Sequence, residues 1–206
     1  MGLDMSLFKM PRYKNATAQD VSNIESYLSW IEAKKRGSEY ANCTFKEWCG
    51  VDVKDLPPQE IIDFYAALYN IKYWSWDVDL QYGNKMIMQE IAYWRKENAI
   101  HKWFVENIQN GEDDCRFHRE ITKSDLENLK HICKTILNTC CVVDGEIMVN
   151  SVVASELLPT QSGFFFGGTE YDEWYMDGLK YTIDIVDKIL KETDFNTYAI
   201  YYVSSW

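Results

Sequence analysis

No stretch of the 206-residue chain approaches the roughly 20 apolar residues that a membrane-crossing helix requires. The opening residues also lack the basic segment followed by an apolar one that marks a secretory leader. Both absences point to the cytosol and away from a membrane. Basic charge is scarce as well: 21 lysines and arginines stand against 32 acidic residues, a formal net charge of -11. A field of that sign repels phosphate backbones at long range, which excludes nonspecific nucleic-acid binding. A small anion stays within reach, because a pocket answers to its nearest charges.

Signature motifs are missing too. No GK[ST] completes a phosphate-binding loop, no GxGxxG precedes a helix, and no nucleophile elbow presents a serine. The six cysteines, at 43, 49, 115, 133, 140 and 141, show no repeated two-residue spacing, so they read as reduced thiols rather than zinc ligands or a disulfide frame. Cys115 and His118 form an isolated C-x-x-H. On a strand the two would face opposite ways, so no metal and no cofactor are expected. Repeats, low-complexity tracts and linkers are absent, and hydrophobic residues make up 47% of the chain with aromatics at 15%, enough for a folded core.

What is present reads as alternating strands and amphipathic helices. The opening MGLDMS matches a loose myristoylation pattern at Gly2 and Ser6, yet Leu3, Met5 and Leu7 alternate as in a buried strand over 3 to 8. Thr17 with Asp20 forms a capping box ahead of Val21, Ile24, Leu28 and Ile31 at helical spacing, with Gly37 as a stop. TFKE at 44 to 47 is a second box, and PPQEIIDFYAALYN begins a helix on proline. YGN at 82 to 84 punctuates the chain.

The next segment, Ile87 to Arg95, has Ile87, Ile91 and Tyr93 on one parity and reads as a strand. Asn98 then caps a helix carrying Ile100, Trp103, Phe104 and Ile108. CRFHREI at 115 to 121 is a further expected strand, and TKSD caps a helix with Leu126, Leu129, Cys133, Ile136 and Leu137 inward. Asp144-Gly145 between apolar runs marks a hairpin. SGFFFGG at 162 to 168 reads as a short buried strand, TEYD caps a long helix, and TYAIYYVSSW is a last strand. The expectation is one α+β domain over 1 to 206, a mostly antiparallel sheet covered by several amphipathic helices, with 139 to 158 a candidate hairpin insertion.

Four separated stretches then share a pattern: MGLDM at the start, YWRKxNxIHxW at 93 to 103, SGFFFGxTEYD at 162 to 172, and the closing SSW. In order and spacing they resemble a widespread family of small proteins encoded by phages and prophages, which begin MGLDMY and carry the same succession of motifs. Ser6 departs from that pattern where many relatives have tyrosine, and 139 to 158 is longer than in compact members. The resemblance implies motif positions rather than a catalytic set.

Arg95, a planar fork of donors, Lys96, a mobile charge, and His101 suit a phosphate or carboxylate beside the amides of a helix start. Tyr93, Trp94, Phe165 and Trp206 offer faces for a base, and Gly167 would let backbone approach a ligand. Tyr171, Ser204 and Ser205 complete the candidate set if the motifs converge. The competing structural reading puts Trp94 and Trp103 in the core and pairs Arg95 with a carboxylate.

The expected function is therefore that of a phage-encoded counter-defence accessory that binds and sequesters a small anionic nucleotide-derived ligand. An acidic inhibitor of a host defence nuclease or polymerase is the alternative from another class, with a host defence protein as partner. A nucleotide-processing enzyme would share the pocket without a recognisable catalytic set. A second copy of the chain is a further candidate partner.

Overall fold

The computed structural model describes residues 2–39, 42–69, 87–143 and 146–206, without the side chains of Val143 and Glu146. The YGN turn and the Asp144-Gly145 turn lie outside the described residues. The chain is α+β, with a small antiparallel sheet and several helices. Contacts divide it into two compact units, one made of residues 1–8 and 90–206 and the other of 9–89.

Unit two is helical. Helix α1 (Ala18–Lys35) starts at the Thr17/Asp20 capping box, and α2 (Phe45–Cys49) starts at the Thr44/Glu47 box. Both boxes satisfy amides that a helix start leaves open. Helix α3 (Gln59–Tyr69) follows the proline pair, and α1 packs on both α2 and α3. Val21, Ile24, Phe45, Ile61, Ile62 and Tyr65 are buried there. The Glu25 carboxylate lies inside this unit and accepts from the amides of Ile87 and Met88.

The larger unit is built on strands β1 (Asp4–Pro11), β2 (Gln89–Arg95) and β5 (Tyr198–Ser205), in the order β2-β1-β5. Early β1 meets late β2: Lys96 N donates to Leu3 O at 2.8 Å, and the Ser6 hydroxyl donates to Glu90 at 2.5 Å. Helix α4 (Asn98–Asn107) lays Ile100, Trp103 and Phe104 into the core, where Phe104 stacks on Tyr202 at 4.2 Å. Helices α5 (Lys123–Asn138) and α7 (Glu173–Glu192) pack against each other and share one core with the sheet. Each large apolar side chain buried there contributes roughly 1.5–3 kcal/mol. Cys133 belongs to this core, and burial pushes its thiol up to about 12. Between α5 and α7, β3 (Cys141–Val143) pairs antiparallel with β4 (Glu146–Met148), as the Asp-Gly signal predicts, and α6 (Ser151–Leu157) follows.

Three local expectations change. CRFHREI is not a strand; only Ile121 pairs, in a single antiparallel bridge to Ile200. Arg119 there ties the segment down by donating from both amino groups to Asp125. SGFFFGG forms turns rather than a buried strand, with Phe166 buried, Phe165 half-buried and Phe164 95% exposed. In β2 the inward parity is Ala92 and Trp94, while Tyr93 faces out, because Trp94 finds a buried acceptor in Thr182 at 3.0 Å. The TEYD segment caps α7 as expected, through Asp172, whose carboxylate accepts from Tyr175 N.

Candidate functional site

The junction between β2 and α4 is a sharp one. Lys96 adopts φ 62, the left-handed region that costs an ordinary residue about 1–2 kcal/mol. Gly167 (φ 88) passes directly over it: a Cβ at 167 would lie 3.2 Å from Lys96 Cβ and 3.3 Å from its carbonyl oxygen. Only glycine fits both the torsion and the approach. Leu3 N meanwhile donates to Phe165 O at 3.0 Å. The MGLDM, YWRK and GFFFG segments therefore meet at one place.

Asn98 is not the helix cap that its residue type suggests. Glu97 holds the cap position without any side-chain hydrogen bond, and Asn98 is buried in the first turn. Its amide nitrogen donates to Phe166 O at 3.1 Å and Gly168 O at 2.7 Å, and its oxygen accepts from Gln161 N at 3.0 Å. One side chain thus fixes the loop of residues 161 to 168 over the start of α4. The amides of Ala99 and Ile100, at that start, precede the first available intrahelical carbonyl.

Loop and helix starts enclose a cleft of about 370 Å³, within the size range of small-molecule sites. Its charged lining comprises Arg95 and Lys96 against Glu97, Glu170 and Asp172. Most of these groups are committed. Arg95 lies 3.9 Å from the Asp4 carboxylate, Glu170 accepts from Thr169 N at 3.0 Å, and Asp172 caps α7. Lys96 and Glu97 make no side-chain hydrogen bond or ion pair among the described residues. Burial, helped by the neighbouring Asp177 carboxylate, pushes Glu97 up to about 7. Trp174 also lines the cleft, with 83% of its surface exposed.

The other candidate residues fall in different places. His101 is fully buried; its Nδ1 lies 2.7 Å from the Tyr202 hydroxyl and its Nε2 3.0 Å from Asp113, its ring meets Phe166 edge-on at 5.1 Å, and it is not part of the cleft lining. Trp206 donates to the other oxygen of Asp113 at 3.0 Å and meets Phe166 edge-on at 6.1 Å. The closing SSW segment therefore joins the buried histidine network rather than the cleft. Ser204 is buried and Ser205 exposed. Trp94 is core, the Tyr93 phenol donates to Asp4, and Tyr171 packs edge-on against Tyr175 at 5.0 Å. Arg95, Lys96 and Gly167 are brought together.

Sequence reasoning passed over Glu97 and Trp174. The signal for Glu97 is a glycine inside an otherwise strong helix: a Cβ at Gly178 would come within 2.1 Å of the Glu97 carboxylate. A separate surface group, Glu112, Asp114 and His118, has ligand atoms within 4.8 Å of one another, and His118 already bonds Asp114 at 2.9 Å. Comparison with family models, curated proteins and solved structures finds no match for this chain.

Proposed function

We propose that this protein binds a small anionic nucleotide-derived ligand in the Lys96 cleft. The supporting observation is the position of Lys96: a cation with no ion pair among the described residues, beside Arg95 and the uncapped start of α4, in a cleft that also carries exposed Trp174. Phosphate oxygens suit those donors, since a helix start and adjacent cations reinforce one another. An indole face suits a base.

Sequestration fits better than turnover. Both hydroxyls at the cleft, of Thr160 and Tyr175, donate to the backbone carbonyls of Thr169 and Leu158, each at 2.9 Å, so neither is poised as a nucleophile. Together with the phage and prophage motifs, this supports a counter-defence accessory that withholds a nucleotide signal. An acidic interaction inhibitor rests on the charge of -11 alone.

The test is thermal stabilisation by a panel of mononucleotides, cyclic nucleotides and ADP-ribose, followed by recovery of the ligand after denaturation. Stabilisation with unchanged ligand is the expected result. Altered ligand would indicate an enzyme, and no shift with any nucleotide would favour the interaction protein.

A further inference from the structure

Glu97 presents an acceptor with nothing to accept. Its carboxylate lies against the bare backbone of Gly178 in α7 and lines the cleft without a hydrogen-bond donor among the described residues. The other two carboxylates of the lining have donors of their own, Thr169 N for Glu170 and Tyr175 N for Asp172. A desolvated acceptor left open is costly, and a ligand that brings N–H groups to it removes that cost.

Which base brings them follows from the pattern of its edge. A carboxylate holds two oxygens side by side and pairs best with two adjacent donors. Guanine offers N1–H and the N2 amino group in that arrangement. Hypoxanthine keeps only N1–H. Adenine and cytosine set a ring acceptor beside their amino group, which would face a lone pair of the carboxylate, and uracil flanks its single N–H with carbonyls.

We infer that the cleft selects a guanine base, with the Glu97 carboxylate accepting from N1–H and N2–H while Lys96 and Arg95 hold the phosphate. Trp174 supplies the stacking face. This rests on the nucleotide-binding reading above and adds the choice of base. Gly178 is the positioning residue, because any side chain there would displace the carboxylate.

The experiment is calorimetric titration of the full chain with GMP, IMP, AMP and ribose 5-phosphate at about pH 8, where Glu97 is ionised. GMP is expected to bind about tenfold to a hundredfold more tightly than AMP, with IMP between them. Glu97→Gln is expected to close that gap, read as the ratio of GMP to AMP affinity, because an amide offers one donor and one acceptor where the carboxylate offers two acceptors. Equal affinity for GMP and AMP, lost alike in Lys96→Ala, would overturn the guanine assignment and leave nucleotide binding standing. Failure of all four probes to bind the wild-type protein would overturn both. The wild-type ladder reads base selectivity even if the Gln variant does not fold.

Discussion

His101 and Tyr202 form a buried pair, with Nδ1 and the phenol oxygen 2.7 Å apart, and the opposite ring nitrogen lies 3.0 Å from Asp113. Burial holds the Tyr202 phenol well above its ordinary pKa. The Asp113 carboxylate is an acceptor, so the Nε2 proton belongs to that bond. His101→Phe removes the imidazole partner of the buried Tyr202 hydroxyl and should cost about 2–3 kcal/mol in denaturant unfolding. Because the pair is not part of the cleft lining, affinity for GMP measured on the folded variant should change less than about twofold.

Lys96 sets stability against binding. Its left-handed backbone is the conformation glycine adopts freely. Lys96→Gly is expected to keep or raise unfolding stability, by up to about 1 kcal/mol, while weakening nucleotide binding by at least about tenfold. Chemical denaturation and calorimetry on one preparation check both halves.

Asn98 holds three backbone groups of the 161–168 loop at once. Asn98→Ala should cost about 3 kcal/mol, near one for each lost bond. Amide hydrogen exchange should show the loss locally, with the Gln161 amide losing its protection.

Glu97 makes stability fall with pH. Its pKa rises from 4.5 to about 7 on folding, so the folded state holds the proton more tightly than the unfolded chain. The resulting stability is complete below pH 4.5 and is lost as pH climbs through about 7, a change of up to about 3 kcal/mol. Asp177 on α7, itself bonded to Lys180 at 2.9 Å, is the neighbouring charge that deepens the shift. The stability difference between wild type and Glu97→Gln, followed from pH 4 to 8, should carry this slope; a flat difference would contradict it.

How far the sequence alone reaches depends on how local each determinant is. The capping boxes at Thr17, Thr44 and Thr122 read directly because both partners lie within one turn. The hairpin over 141 to 148 reads for the same reason. GFFFG misleads because three phenylalanines resemble a buried strand, whereas its conformation is imposed by Asn98 and Leu3 from far away in the chain. His101 looks like a phosphate donor until Tyr202 and Asp113 occupy both its nitrogens. Glu97 is invisible until Gly178 is known to face it. Arg95, Lys96 and Gly167 could be gathered from the motifs, but only the fold shows that SSW belongs elsewhere.

The most direct test is titration of isotope-labelled protein with GMP and, separately, AMP, following backbone amides and tryptophan indoles by NMR. Saturable shifts are predicted at Lys96, Ala99, Ile100, Gly167, Gly168 and the Trp174 indole, and their disappearance in Lys96→Ala. Shifts centred on another surface, or none with either nucleotide, would contradict a nucleotide site in this cleft.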